Sequence, residues 1–575
     1  MKKFRSIFVP VVCILFAFRF LNVNAQAPSE QNFEILKNLD IYSNLIKELN
    51  EDYVDQINPG EVTKAGIDAM LESLDPYTNF IPESQVEDFK FITTGQYGGI
   101  GALIHKQGDY VVISEPYEGS PAEKAGLKAG DKILEINGQS AKSKNNDEVS
   151  TLLKGQSGTV INLLIQRDGE QAPIAKTISR EIIKIDNIPY YSMLQNQIGY
   201  IKLTGFTQNA GKEVKQAFLK LKEKNDLKGI IIDLRGNGGG LLNEAVEISN
   251  IFVDKGQEIV STKGKQADKN RTHYTTSQTV DPTIPLVVLA DRQSASASEI
   301  LAGAMQDLDR GVIIGQRTFG KGLVQNVVPL SYNAQLKITV AKYYIPSGRC
   351  IQAIDYSHKN NQGSFSKIPD SLIRAFKTKN GRIVYDGGGI NPDLVTARKQ
   401  FSNIALTLYT KFLIFDYATK FAREHPVIAP ADTFEIDEAT YKDFLTFIAD
   451  KSYDYSTKSE RALETLKNEA LKENYFDAFK EEYDHLKSLM DNDKKEDLNK
   501  YQNQIKELLK FEIVSRYYYQ KGKIKASLKQ DQDLALAIST LQDQDKYIAI
   551  LNGTYEPAKQ KKEAPVEREE AEDPE

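Results

Sequence analysis

Two short segments hold residues able to do nucleophilic chemistry, and neither lies near a histidine. Ser294, Ser296 and Ser298 sit in D-R-Q-S-A-S-A-S-E-I-L (291–301), where a strand-like apolar run gives way to a helical pattern. Lys321 sits in G-Q-R-T-F-G-K-G-L-V-Q (315–325), between two glycines, with Gln325 four residues further on. A serine hydroxyl is a poor nucleophile until a neighbouring base removes its proton. Without a histidine the base must be lysine, and lysine accepts a proton only when neutral, a state that desolvation favours. Phe319, Leu323 and Val324 are apolar neighbours suited to that task, while Gly320 and Gly322 let the backbone pass close to other elements. Gln325 has an oxygen that can accept a hydrogen bond from the amine and aim its lone pair.

Acyl transfer also needs donors for an oxyanion. A helix start supplies free N–H groups and a favourable dipole, so the amide of Ala297 is the natural first donor. A second can come from R-G-N-G-G-G-L (235–241), a glycine-rich turn after a buried strand. Plainer readings exist for each feature. Serines before a helix are commonly N-caps, and on chemistry alone any of the three could be only that. Lysines flanked by glycine are commonly surface residues. The glycine run lacks both the Gly-Lys-Ser/Thr ending of a phosphate loop and the dinucleotide spacing, which argues against a nucleotide.

The elements that must position these residues read as a multidomain α/β protein. G-I-I-I-D-L (229–234), P-L-V-V-L-A-D (285–291) and V-I-I-G (312–315) are short, continuously apolar strands, and 213–224 and 296–308 read as helices between them. Phe33, Ile35, Leu36, Leu39, Ile41, Leu45, Ile46 and Leu49 recur at helical spacing near the N-terminus. Short strands with glycine turns fill 84–175, and beyond Lys399 glycine nearly disappears in favour of Leu, Lys, Glu, Tyr and Phe. The expected divisions are a signal peptide (1–25), an N-terminal helical segment (26–83), a β-rich module (84–175), an α/β core (176–399), a mainly helical domain (400–555) and a disordered charged tail (556–575).

The motifs L-R-G-N-G-G-G, S-A-S-A-S-E and F-G-K-G-x-V-Q, in this order and spacing, resemble those of the C-terminal processing (tail-specific) serine peptidases. L-D-P-Y-T (74–78), Y-G-G-I-G (97–101), Y-I-P-S-G-R-C-I-Q (344–352) and G-G-I-N-P-D (388–393) extend the resemblance over about residues 74–393. It implies that Ser296, rather than Ser294 or Ser298, is the nucleophile, Lys321 the general base and Gln325 its orienter. It further implies an oxyanion hole from Ala297 and either Gly238 or Gly239. Glu299 and Arg235 fall in matching motifs and read as supports of the site.

Y-G-G-I-G and S-P-A-E-K-A-G-L-K-A-G-D-K-I-L-E-I-N-G (120–138) resemble a PDZ domain. In that reading Gly99, Ile100 and Gly101 cradle a terminal carboxylate, and the strand from Ala102 and Leu103 receives an extended peptide edge-on. A helix over 146–154 supplies an apolar wall from Val149, Leu152 and Leu153. His105 reads as a strand residue, not a catalyst. The remaining histidines, at 273, 358, 425 and 485, have no metal-ligand spacing, so neither metal nor cofactor is expected.

A basic start, an apolar run of about a dozen residues and small residues at Asn24-Ala25-Gln26-Ala27 read as a cleaved secretory signal. Export to a periplasm follows, with the product soluble or loosely membrane-associated. Cys350 is then the one mature cysteine, which excludes an intrachain disulfide. The chain carries −6, and loss of four cations with the signal leaves about −10, which gives no global attraction to nucleic acid. The expected activity is endopeptidase cleavage upstream of exposed protein C-termini. The resemblance also allows homodimers through the terminal helical regions. A catalytically silent PDZ scaffold and a Ser–Lys amidase are the competing readings; the second leaves the PDZ-like module unexplained.

Overall fold

The computed structural model describes residues 30–224, 226–359 and 364–556. The expected signal peptide and nearly all of the charged tail lie outside the described residues. The chain divides into two units, 1–80 and 81–575.

In the first unit the helical pattern breaks into α1 (Glu30–Asp52) and α2 (Pro59–Glu72). Asn58 caps α2, its side chain accepting from the amide of Gly60 at 3.0 Å, and Pro59 opens the helix where its missing N–H costs nothing. Asp75 ties the L-D-P-Y-T turn by accepting from the amides of Tyr77 and Thr78 at 2.8 and 2.9 Å. The periodic apolar residues of α1 do not form a core: Phe33, Leu36 and Leu39 are more than half exposed.

The second unit opens with α3 (Val86–Thr94) and then the β-rich module. Its elements are β1 (Gln96–Gly99), β2 (Ala102–Gln107), β3 (Tyr110–Pro116), β4 (Lys132–Ile136), α4 (Asn146–Leu153), β5 (Val160–Gln166) and β6 (Ile174–Ser179). The sheet runs β2-β3-β4-β5-β6, so β2 is an edge strand. β6 completes this sheet, so the boundary expected at 175 falls inside a strand. β1 pairs antiparallel with β7 (Glu181–Lys184). Ile113, Ile133, Val149, Ile161 and Ile165 are fully buried in the module's core.

The α/β core contains β8 (Tyr190–Met193), β9 (Ile198–Lys202), α5 (Ala210–Lys224), β10 (Gly229–Asp233), α6 (Leu242–Phe252), β11 (Glu258–Gly264), β12 (Leu286–Ala290), α7 (Ala297–Asp307), β13 (Val312–Gly315), β14 (Leu323–Pro329), β15 (Gln335–Tyr344) and β16 (Leu394–Val395). The central sheet has the order β8-β9-β10-β12-β13-β16 and is parallel except for β8. Every residue of β10, β12 and β13 is buried, as expected of strands covered on both faces. Helices α5, α6 and α7 cover one face. The hairpin β14–β15 joins β11 in a second sheet.

α8 (Asn403–Thr410), α9 (Leu413–Glu424), α10 (Glu438–Ile448) and α11 (Gln502–Ser527) enclose their own core around Ile414, Tyr417, Phe444, Leu509 and Ile513. The last two helices, α12 (Gln532–Gln542) and α13 (Gln544–Leu551), do not belong to it. Their Leu534, Ala537, Leu541, Tyr547 and Ile550 pack on the second face of the central sheet, against Tyr200, Ile231, Val287, Leu289 and Ile314. The expected helical domain of 400–555 is therefore physically two things, a helical body and a cover for the α/β core. Among the described residues no helix is long and apolar enough to cross a membrane.

Candidate active site

Three neighbouring parallel strands carry the candidate residues. β10, β12 and β13 lie side by side, and the loops leaving their carboxyl ends are 234–241, 291–296 and 316–322. These loops hold the glycine run, Ser296 and Lys321, at the edge where open α/β sheets place their ligands.

The middle loop turns sharply into α7, and Ser296 takes φ 57° and ψ −115°. That conformation costs an L-residue about 1–3 kcal/mol and persists only where the surroundings impose it. They do so here. Ser294 donates to the carbonyl of Leu234 at 2.9 Å, Ser298 donates to that of Asn237 at 2.8 Å, and the amide of Ala295 donates to the same oxygen at 3.1 Å. The Asp291 carboxylate accepts from the amides of Gly236, Gln293 and Ser294 at 3.0–3.1 Å. Ser294 and Ser298 are thus fully buried and bonded into the glycine turn, whereas Ser296 keeps part of its surface open.

Glu299, one turn into α7, joins this loop to that of Lys321. One carboxylate oxygen accepts from the amides of Ser296 and Lys321, both at 2.9 Å; the other accepts from the Thr318 hydroxyl at 2.6 Å and the Gly320 amide at 2.7 Å. Burial pushes its pKa up to about 7, against the pull of these four donors. Tyr343 of β15 adds a second link: its hydroxyl donates to the carbonyl of Lys321 at 2.5 Å and lies 3.2 Å from that of Ser296.

Lys321 is half-buried. Of its expected apolar neighbours, Leu323 is buried and Val324 packs on the core, but Phe319 points outward and is 49% exposed. Gln325 lies on β14 beside an irregularity in its pairing with β15, and its amide nitrogen donates to the Thr339 hydroxyl at 3.2 Å.

The two glycines left equal by the sequence differ here. The amide of Gly239 donates to the Asn237 side chain at 2.9 Å. A Cβ on Gly239 would stand 2.9 Å from both the Ala297 nitrogen and the Ser296 Cβ, and its φ of +98° disfavours any other residue. Gly238 faces open space, and among the described residues neither its amide nor that of Ala297 has a protein acceptor.

Sequence reading named Arg235 as a support of the site but missed the partners with which it holds the glycine turn. Asp233, fully buried at the end of β10, accepts from the Tyr200 hydroxyl at 2.7 Å and pairs with Lys202 at 3.1 Å and Arg235 at 2.7 Å. Burial alone would raise its pKa; the Lys202 and Arg235 charges hold it well below the usual carboxylate range. Only the Asp-Leu-Arg-Gly run hinted at this cluster, because Tyr200 and Lys202 come from a different strand.

In the β-rich module, β2 lies alongside α4, and among the described residues no strand pairs with its outer edge. Gly99, Ile100 and Gly101 form the turn before it, with Gly101 at φ +76°. Ala102 and Ile104 face the module core, whereas Leu103 points the other way and is 48% exposed. Val149 and Leu153 were expected in the groove wall but are closed into the core; Leu152 is the wall residue that stays half-open. Further along β2 the module meets the helical body. His105 stacks on Phe412 with centroids 4.2 Å apart, and Gln107 donates to Asp416 at 3.0 Å. Among the described residues no group of three or more His, Cys, Asp or Glu side chains has a metal-binding arrangement.

Comparison with known proteins matches residues 197–357 to peptidase family S41, 112–167 to the PDZ domain and 404–541 to the C-terminal helical domain of probable PDZ-proteases. A carboxy-terminal-processing protease of Bartonella bacilliformis is 37% identical over 330 residues, covering 57% of this chain and 75% of that one. A probable CtpA-like serine protease of Staphylococcus aureus is 35% identical over 348 residues, 60% of this chain and 68% of its own length. The solved photosystem II D1 C-terminal processing protease is 28% identical over 61% of this chain and 86% of its own, with a TM-score of 0.35.

Proposed function

Since this chain belongs to the carboxy-terminal-processing proteases of peptidase family S41, serine peptidases with a PDZ domain, we propose that Ser296 and Lys321 form its catalytic dyad. The observation that carries the assignment is the double staple: Glu299 bonds both the Ser296 turn and the Lys321 loop, and the Tyr343 hydroxyl donates to the Lys321 carbonyl while lying 3.2 Å from that of Ser296. In the proposed reaction Ser296 Oγ attacks the scissile carbonyl carbon and its proton passes to neutral Lys321 Nζ. The oxyanion is received by the amides of Ala297 and Gly238, with Gly239 serving as the close-packed hinge between them. Lys321 then gives the proton to the departing amine, and the C-terminal fragment leaves. Water, deprotonated by Lys321, attacks the ester, and the proton returns to Ser296 as the acid is released. Gln325 holds its side-chain oxygen toward the amine.

The PDZ domain supplies the address. A substrate's terminal carboxylate meets the turn at Gly99, Ile100 and Gly101, its last residues add as a strand to the free edge of β2, and Leu152 and Ala102 contact the final side chain. Binding as a strand selects extended, partly unfolded tails. The N-terminal signal takes the enzyme out of the cytoplasm, into a periplasm, where such substrates are other exported proteins.

Incubation with a disordered protein bearing varied C-terminal residues, followed by intact-mass measurement, tests the proposal. Internal cuts that depend on the terminal residue and vanish in Ser296→Ala are expected. Sequential loss of single residues, or cuts indifferent to the terminus, would overturn it.

A further inference from the structure

The glycine turn proposed to receive the oxyanion is tied to the far end of the chain. Arg235, the residue before the turn, spends all five N–H donors on carboxylates. Nε and Nη2 bond Asp233 at 3.0 and 2.7 Å, Nη1 bonds Asp531 at 2.9 Å and Asp533 at 3.0 Å, and Nη2 also bonds Asp531 at 2.6 Å. Saturated fork geometry of this kind fixes a guanidinium in direction as well as in place. The main chain of Arg235 is held too, its amide on Asp233 at 2.9 Å and its carbonyl on Lys202 at 2.7 Å.

Asp531 and Asp533 are rigid anchors. Asp531 caps α12, accepting from the Leu534 amide at 3.0 Å. The helix itself is bound to the central sheet through Leu534, Ala537 and Leu541. Tyr547 of α13 fixes the next stretch, its hydroxyl accepting from the Leu286 amide at 2.9 Å. From this frame to the amide of Gly238, which has no protein acceptor among the described residues, the path is short: Arg235, Gly236 and Asn237.

We infer that Asp531 and Asp533 are positioning residues for peptide hydrolysis: through Arg235 they hold the 236–240 turn in register with Ser296. The chain's last helices thereby set the oxyanion site as well as covering the sheet. This rests on the reading of Gly238 as an oxyanion donor. A purely structural ion cluster would lose activity only in proportion to stability, whereas a strut alters turnover in a protein that stays folded.

The test is Asp531→Asn/Asp533→Asn in the full chain, with Ser296→Ala alongside. Asparagine caps a helix as well as aspartate does, so α12 keeps its start while Arg235 loses two charged partners. Turnover is expected to fall about tenfold or more, with KM changed less than about twofold. Affinity for a peptide aldehyde, which needs the oxyanion donors, is expected to fall in parallel, with melting temperature and PDZ-peptide affinity unchanged. If Ser296→Ala still turns over, the underlying assignment fails. If Ser296→Ala is dead while the double variant keeps its turnover, or loses it only in step with melting, the strut fails alone. Should the double variant not fold, Asp533→Asn, which leaves the cap and the bidentate pair intact, is expected to lose about threefold in turnover and aldehyde affinity together. No loss in that variant overturns the inference.

Discussion

The two sides of the proposed nucleophile are each held by a buried carboxylate, but by opposite electrostatics. On the base side Glu299 is surrounded by dipoles, three amides and a hydroxyl, with burial raising its pKa to about 7. On the oxyanion side Asp233 sits between Lys202 and Arg235, which keep it ionised far below neutrality. The base-side staple can therefore lose an acceptor in the physiological range, and the oxyanion-side cluster cannot.

The largest break in this comparison comes at the base. Lys321→Arg and Lys321→His leave both carboxylates in place but put no neutral amine at that point, so turnover should fall by about a thousandfold or more with the melting temperature retained. Steady-state assays with either variant check this.

Next is Glu299→Gln. Its amide group replaces one acceptor oxygen and faces donors, so two of the four bonds are lost and the junction of the two loops loosens. Turnover should fall about ten- to a hundredfold, because small displacements of reacting groups are costly. The same variant tests the pKa. A carboxyl at about 7 in the folded state and 4.5 as its reference binds its proton more tightly when folded, so it adds stability as pH drops from about 7 toward 4.5. The wild type should gain melting temperature relative to Glu299→Gln between pH 8 and pH 5.5; parallel curves would remove the titration from Glu299. Asp233 runs the other way. Its stabilising contribution is complete above about pH 4 and is lost only below that, outside this window.

The smallest effect is remote from both staples. Leu152→Ser should weaken binding of a C-terminal peptide about three- to tenfold and leave cleavage of short, unanchored substrates unchanged. Fluorescence anisotropy with Ser296→Ala as the background measures it.

What the sequence disclosed follows from how local each signal is. The strands β10, β12 and β13 are continuous apolar runs and were legible within a residue or two. Ser296 and Lys321 stood out because no histidine competes with them, and motif order, not chemistry, separated Ser296 from its neighbours. The structure adds the physical difference: Ser294 and Ser298 are bonded away beneath the turn. Gly238 and Gly239 could not be told apart by type, since the distinction lies in which amide Asn237 engages. The apolar stripe of α12 and α13 looked like any helix of the domain before it; nothing local says that it covers a sheet most of whose strands lie more than two hundred residues earlier. Val149 and Leu153 show the same limit, because helical spacing marks a buried face without separating core from groove.

The central claim, that Ser296 carries the acyl group and Lys321 accepts its proton, is tested most directly by rapid mixing, acid quench and peptide-mapped mass measurement. The account predicts an acyl adduct on the Ser296 peptide that forms faster as pH rises toward a plateau near or above neutrality and is absent in Lys321→Arg. An adduct on another residue, or one whose formation is flat from about pH 5 upward, would contradict it.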